Sequence, residues 1–121
     1  MVITVIEEAC AVDRIEEIAA TPGVDVLFIG TSDLSFSLGL RGRQDEPLLQ
    51  KCIDRVVAAA KKHNKFLGRP AGTAELVRKF HAEGFQLFQC TTELNLIRTA
   101  ARQLLEPLGV SGARKMPPPL Y

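Results

Sequence analysis

The stretch that most constrains the fold of this chain is residues 24–39, VDVLFIGTSDLSFSLG. Its apolar run, residues 26–29, stops at Gly30, as expected of a short strand buried in a parallel sheet. A second apolar run, residues 1–6, stops at Glu7, and Asp33 follows soon after Gly30. Both carboxylates therefore follow the carboxyl end of a predicted strand.

The spacing of these two carboxylates predicts that they lie close together. Glu7 and Asp33 are 26 residues apart in the sequence, about the length of one strand, one helix and the return to the sheet. The two strands can then be neighbours, ~4.8 Å apart, and two carboxylates at that distance can share one divalent cation. The alternative is that Asp33 caps a helix and Glu7 is a solvated loop residue.

The rest of the chain alternates short apolar runs with amphipathic segments, which predicts the order βαβαβαβα. Such an order is typical of a parallel sheet covered by helices. Periodicity alone leaves open whether four strands form an open layered sheet or part of a barrel. The predicted strands are residues 1–6, 24–29, 65–68 and 85–90; the predicted helices are residues 11–20, 34–38, 47–62, 73–83 and 92–106.

Length and proline content divide the chain into one modest domain, residues 1–108, and a C-terminal tail, residues 109–121. The chain has 121 residues, about half of the roughly 250 that a complete (β/α)8 barrel needs. The tail contains Pro117, Pro118 and Pro119, which favour an extended conformation.

Charge and composition exclude several classes of partner. The net charge is +1, so we expect neither a nucleic-acid partner nor a membrane partner. The sequence lacks both a ~20-residue apolar run and a signal peptide, which predicts a cytoplasmic protein. Cys10, Cys52 and Cys90 are widely spaced, and we expect buried, reduced thiols rather than disulfides or a zinc site.

Two segments, VIEEA at residues 5–9 and PGVDVLFIGTSDLSFSLG at residues 22–39, resemble the HpcH/HpaI aldolase family of metal-dependent enzymes that cleave and form 2-oxo acids. The similarity extends over residues 2–105. It implies that the chain is the C-terminal half of a (β/α)8 TIM barrel, with four βα units. It also implies that Glu7 and Asp33 hold a divalent metal, Mg²⁺ in the first place, with Mn²⁺ or Co²⁺ as alternatives.

The resemblance further implies that the loop at Gly30, Thr31 and Ser32 binds the carboxylate of the substrate through backbone amides, as helix N-termini bind anions. Thr31 and Ser32 replace the proline and alanine that are common in the family. Without the resemblance, the same stretch is equally typical of a simple turn. Arg69, after the third predicted strand, either meets an anionic substrate group or is an ordinary surface arginine.

The function implied is that of a class II aldolase or lyase, which makes or breaks a carbon–carbon bond of a pyruvate-like 2-oxo acid through its enolate. We assign no catalytic residue, because the family's catalytic histidine and substrate-binding arginine belong to earlier strands. The alternative is a catalytically incomplete half-barrel that serves as an assembly or interaction module. The residues do not identify the aldehyde acceptor.

Burial arguments predict that the chain is not a monomer. Four parallel strands with helices on one side leave an apolar face and two open sheet edges. We therefore expect a homo-oligomer, or pairing with a missing N-terminal half.

Overall fold

The computed structural model describes residues 1–109 of the chain. They fall into two compact units, residues 1–90 and the residues from Thr91 onward, and each is described by itself. All of the predicted tail except Gly109 lies outside the described residues, so the boundary at residue 108 stays a prediction.

The first unit contains four strands and five helices. They are β1 (Ile3–Ile6), α1 (Ala9–Asp13), α2 (Ile15–Ala20), β2 (Val26–Ile29), α3 (Thr31–Ser37), α4 (Pro47–Lys62), β3 (Phe66–Pro70), α5 (Ala74–Ala82) and β4 (Leu87–Gln89).

The four strands form one parallel sheet in the order β1-β2-β3-β4. Ile6 pairs with Ile29, and Phe28 pairs with Gly68. This sheet confirms the predicted parallel α/β architecture, in which each strand lies beside the next one in the sequence. Strands β1 and β4 are the edges of the sheet.

One face of the sheet packs against the helices and forms the core. Side chains alternate between the two faces of a strand, and Ile6, Leu27, Ile29 and Leu67 on one face are buried beneath the helices. Helix α4 supplies the largest share of the opposing layer, with Leu49, Ile53 and Val56 among its buried residues.

The opposite face of the sheet is largely exposed within the described residues, although Val26 on that face is buried. Ile3, Val5 and Phe66 are 41%, 49% and 59% exposed. On this face the Phe28 ring crosses over β3, where a Cβ on Gly68 would lie 2.5 Å from Phe28 Cδ2. Glycine at position 68 therefore makes room for the phenylalanine ring.

Helices α4 and α5 begin as the sequence predicts. Pro47 occupies the start of α4, where its missing N–H has no intrahelical partner to lose. Thr73 caps α5, and its Oγ1 accepts a hydrogen bond from the Leu76 N–H at 3.3 Å. Lys61 and Lys62 lie in the last turn of α4, where their charges complement the negative end of the helix dipole.

Several boundaries differ from the sequence-based expectation. The first predicted helix is two helices, because the backbone at Arg14 leaves helical values (φ −103°, ψ 19°). The third strand extends to Pro70, and the fourth is only three residues long. The expectation of buried thiols is correct for Cys52 alone, since Cys10 and Cys90 are exposed; all three are free.

The second unit begins with helix α6 (Glu93–Leu105), followed by a short 3₁₀ helix, Glu106–Leu108. Thr92 caps α6, and its Oγ1 accepts a hydrogen bond from the Asn95 N–H at 3.3 Å. No residue of α6 is buried. Leu94, Ile97 and Leu104 are exposed apolar side chains on this helix.

Within the part of the chain that the structure describes, no helix combines the length and the apolar character that a membrane crossing requires.

Candidate functional site

Glu7 lies next to Gly30 at the carboxyl end of strands β1 and β2. The Gly30 N–H donates a hydrogen bond to the Ile6 carbonyl oxygen at 3.0 Å, which extends the β1–β2 pairing by one residue. A Cβ on Gly30 would lie 3.1 Å from Glu7 Cβ and 3.3 Å from Glu7 Oε2. The Glu7 side chain therefore lies directly against the Gly30 backbone.

This geometry gives Gly30 a different role from the one the sequence predicts. Because its N–H is already bonded to Ile6, that amide is not available to a substrate carboxylate, and the predicted amide cradle narrows to Thr31 and Ser32. Gly30 instead provides space, since any larger residue there would crowd Glu7. Sequence periodicity carries no information about this contact.

Asp33 lies in the first turn of α3. Gly30 occupies the N-cap position and no side chain caps the helix, so the expected helix of residues 34–38 with an Asp33 or Ser32 cap is wrong in both start and cap. The Ser32 carbonyl instead accepts a hydrogen bond from Ser35 Oγ at 2.6 Å. Asp33 is exposed and its carboxylate is not used for capping.

Both carboxylates are free to bind a ligand. Among the described residues, neither Glu7 nor Asp33 forms a hydrogen bond or an ion pair through its side chain. Both are solvent-exposed. Glu7 thus directly follows β1, Asp33 lies in the first turn of the helix that follows the neighbouring strand β2, and the oxygen atoms of both carboxylates are unengaged.

Thr31 and Ser32 present the first N–H groups of α3. First-turn amides have no carbonyl acceptor within their own helix. The Thr31 side chain is buried, and its carbonyl accepts a weak hydrogen bond from Gln44 Nε2 at 3.4 Å. These contacts hold the start of α3 in place beneath Asp33.

A second contact ties the loop after β1 to α3. The Ala9 N–H donates a hydrogen bond to Ser37 Oγ at 2.9 Å, although the two residues are 28 positions apart. It fixes the segment that follows Glu7 against the helix that carries Asp33. Sequence reasoning missed Ser37, because a serine near the end of a short helix gives no indication of a distant partner.

The donor set matches a two-carboxylate site. Mg²⁺ commonly takes one or two carboxylates together with water and substrate oxygens. Consistent with so small a set, no cluster of three or more His, Cys, Asp or Glu side chains suited to a metal occurs in the described range, residues 1–109.

Arg69 is not part of this site. Arg69 lies two residues after Leu67 on β3, so both side chains point to the helix-covered face. Glu7 lies two residues after Val5, on the opposite face of the sheet. The guanidinium carbon lies 3.6 Å from the centroid of the Phe80 ring and 5.2 Å from that of Phe85. The hypothesis that Arg69 meets the substrate beside the carboxylates is therefore not supported.

Two other acidic side chains of the unit, Glu16 and Glu8, form hydrogen bonds with neighbouring side chains. Glu16 accepts hydrogen bonds from Lys62 Nζ at 2.8 Å and approaches His63 Nε2 at 2.9 Å; these contacts, first with Lys62 and then with His63, lower the pKa of Glu16. Glu8 accepts a hydrogen bond from Cys10 Sγ at 3.2 Å, which raises the pKa of that thiol. Neither group contacts Glu7 or Asp33.

Comparison with known proteins gives the same family as the sequence motifs. Residues 1–100 match the family model described as HpcH/HpaI aldolase/citrate lyase. The chain is 37% identical over 101 residues to the 5-keto-4-deoxy-D-glucarate aldolase of Klebsiella pneumoniae, covering 84% of this chain and 40% of that one. It is 35% identical over 103 residues to the 2-dehydro-3,6-dideoxy-6-sulfogluconate aldolase of Pseudomonas putida, covering 85% and 40%.

A solved structure shows the same fold. The crystal structure of a HpcH/HpaI aldolase/citrate lyase family protein from Burkholderia cenocepacia superimposes with a TM-score of 0.81 and 36% identity, covering 88% of this chain and 42% of that one. The four βα units described above thus correspond to part of a TIM-barrel aldolase. The chain spans about 40% of the length of the curated relatives it matches.

Proposed function

Because the chain belongs to the HpcH/HpaI aldolase/citrate lyase family, we propose that it carries the metal-binding part of a carbon–carbon lyase that acts on 2-oxo acids. The observation behind this proposal is the pair of exposed, unengaged carboxylates, Glu7 and Asp33, at the ends of adjacent parallel strands. Neither carboxylate caps a helix or forms an ion pair among the described residues, so their oxygen atoms stay available to a ligand.

In this proposal Glu7 and Asp33 hold one divalent cation, Mg²⁺ in the first place and Mn²⁺ or Co²⁺ as alternatives. When bound, the cation would act as a Lewis acid on the 2-oxo group, where negative charge develops as the carbon–carbon bond breaks to leave a pyruvate-like enolate. The contribution of this chain is to orient the two carboxylates: Gly30 leaves room for Glu7, and the short helix α3 carries Asp33.

The Thr31 and Ser32 amides complete the proposed site. They lie in the first turn of α3, two residues and one residue before Asp33 respectively, so a substrate carboxylate bound to them would lie near a cation held by Asp33. Backbone N–H groups at a helix start favour negative charge. This arrangement would fix the orientation of a 2-oxo acid before the reaction, which is how positioned groups lower a barrier.

A second candidate function follows from the uncovered face of the sheet. Ile3, Val5 and Phe66 are exposed there, and no residue of this chain is assigned as a general base, which typically contributes ~10²- to 10⁴-fold in rate. A half-barrel that serves assembly, with a copy of itself or with a missing N-terminal half, would need only the apolar face and not the carboxylates.

Ligand-induced stabilisation tests the metal site. We expect Mg²⁺, Mn²⁺ or Co²⁺ together with oxalate, a 2-oxo acid enolate mimic, to raise the melting temperature, since a ligand at 100 times its Kd adds about 2.7 kcal/mol. Asp33→Asn should abolish the rise. Asp45→Asn, which removes the same charge from an exposed loop residue outside the site, should retain it. Equal melting temperatures with and without metal and oxalate would overturn the proposal.

Turnover distinguishes the two candidate functions. Pyruvate release from oxaloacetate or from an aldol substrate should be measured for this chain alone and for any longer product of the same locus. Activity that Glu7→Gln removes would reject a purely structural role. Metal binding without turnover in this chain, combined with turnover in a longer product, would assign the missing general base to the additional residues.

A further inference from the structure

A cleft of about 590 Å³ lies between helices α4 and α5, and Thr31 at the start of α3 also lines it. Its walls come from both helices and from the end of β3, and neither Glu7 nor Asp33 lines it. This volume falls within the range of small-molecule sites. The cleft lies on the helix-covered side of the sheet, whereas Glu7 of the proposed metal site continues the opposite face.

Arg69 is the unusual residue of this cleft. Its guanidinium stacks over the Phe80 ring at 3.6 Å, and its Nε is buried with no hydrogen-bond partner among the described residues. Burial lowers the pKa of Arg69, partly offset by the charge of Glu83. A buried Nε–H without a hydrogen-bond acceptor is costly, and no described residue supplies that acceptor.

Lys79 adds a second positive charge to the same cleft. Its Nζ lies 5.7 Å from the centroid of the Phe80 ring, the ring that also carries Arg69. Neither Arg69 nor Lys79 forms an ion pair within the described residues. Both cations thus lie near the same aromatic ring.

Two carboxylates also line the cleft, and they limit what can bind. Asp54 is engaged by Gln50, whose Nε2 donates to Asp54 Oδ1 at 2.8 Å. Glu83 interacts with Arg69 through space, without an ion pair within 4 Å. The formal charges of the four charged lining residues sum to zero before any ligand binds, so the cleft disfavours a polyanion more than a small anion.

We propose that this cleft binds a small oxyanion, a carboxylate or phosphate group, held by Lys79 and by Arg69, whose guanidinium stacks on the Phe80 ring. Arginine binds such groups through two parallel N–H donors, and the ring holds the guanidinium plane in a fixed orientation. Lys79 would contribute a single charge to the same group. The two sites share no charged residue, although Thr31, whose backbone amide belongs to the proposed substrate cradle, also lines this cleft.

Nuclear magnetic resonance titration with inorganic phosphate and, separately, with acetate tests this proposal, with sodium chloride at matched ionic strength as the reference. We expect saturable shifts of the Arg69, Lys79 and Phe80 amides with one or both anions, and none with chloride. The stronger anion distinguishes a phosphate site from a carboxylate site. Shifts that do not saturate, or that chloride reproduces, would overturn the proposal.

Variants identify the residues responsible. Arg69→Gln should weaken anion binding at least about tenfold, since hydrogen bonds between charged groups are stronger than those between neutral groups. Lys79→Gln, at an exposed helical position that tolerates glutamine, should weaken binding by a smaller factor and keeps the test valid if Arg69→Gln fails to fold. Arg78→Gln is the matched control, because Arg78 is exposed on α5 and does not line the cleft. Unchanged affinity in Lys79→Gln, or equal losses in Lys79→Gln and Arg78→Gln, would contradict the assignment.

Discussion

The two faces of the sheet are built from alternate residues of the same strands, yet their side chains differ in how far they are exposed to solvent. On the helix-covered face, Leu27 and Ile29 are fully buried, whereas Val5 and Phe66 on the other face are about half exposed. Both faces are apolar, so the difference lies in the cover and not in the composition of the strands. The helix-covered face forms a packed hydrophobic core. The other face is as apolar as a core, but no helix of residues 1–90 packs on its exposed side chains.

The difference also separates stability from function. The helix-covered face determines whether the unit of residues 1–90 folds, while Glu7 and Asp33 follow the strands at the edge of the uncovered face. The proposed chemistry therefore depends on a surface that contributes little to folding. Substitutions on the two faces should have separable effects, and the predictions below use that separation.

The largest expected effect comes from truncating the core. Leu27→Ala should lower the free energy of unfolding by about 2–5 kcal/mol, because it removes transfer energy and leaves a cavity. Val5→Ala, on the neighbouring strand but on the uncovered face, should cost well under half as much. Urea unfolding of both variants measures the difference. Equal losses would show that the two faces are equally packed.

A smaller effect on stability is expected at Gly30. The φ of −77° suits alanine, and alanine stabilises the fold by up to about 1 kcal/mol because it restricts the unfolded chain. The new Cβ would, however, lie only 3.1 Å from Glu7 Cβ. Gly30→Ala should therefore change stability by less than about 1 kcal/mol while weakening the response to metal and oxalate. Gly72→Ala is the control, because a Cβ there meets no atom within 4 Å. A full metal response in Gly30→Ala would contradict this placement of Glu7.

The uncovered face should govern association more than stability. Phe66→Gln should alter the unfolding free energy by no more than about 0.5 kcal/mol, as exposed positions usually do, yet reduce self-association. Leu48→Gln, at an exposed apolar position of α4, should leave association unchanged. Light scattering coupled to gel filtration at several concentrations compares them. A monomer at every concentration in the unmodified chain would rule out the proposed homo-oligomer.

The smallest effect concerns a surface contact of the helix layer. Lys62 and His63 lower the pKa of Glu16, so this contact stabilises the fold above the unfolded-state pKa of Glu16, and the contribution is lost as the pH falls through the lower, folded-state value. Glu16→Gln should thus be slightly less stable at pH 7 and indistinguishable near pH 3. Urea unfolding at the two pH values provides the test, and an equal loss at both would contradict the assignment.

The sequence predicted the order of strands and helices because the apolar periodicities are strong. Helix α4 was predictable at both ends, from Pro47 and from the terminal lysines. Helix α3 was placed too late, because its N-cap is Gly30 and offers no side-chain indication of a start. The break at Arg14 likewise has no sequence signature, since neither glycine nor proline marks it.

The rule that parallel strands end at one edge of a sheet predicts that Glu7 and Asp33 lie near each other, and their role as metal ligands stays a prediction. The contacts around them could not be predicted from the sequence. The hydrogen bond between Gly30 and Ile6 and the contact between Ala9 and Ser37 depend on exact register, which periodicity does not provide. The face to which Arg69 points could have been predicted from the sequence. Arg69 lies two residues after the apolar Leu67, so both side chains point to the same face of β3.

The most direct test of the central claim is a calorimetric titration of Mn²⁺ in the presence of oxalate. We predict one site per chain, weakened at least about tenfold in both Glu7→Gln and Asp33→Asn, because even groups outside the direct ligands change metal affinity by that factor. Glu8→Gln, which alters the neighbouring carboxylate that accepts a hydrogen bond from Cys10, should bind as the unmodified chain does. Equal Mn²⁺ affinity in all four proteins would contradict the account.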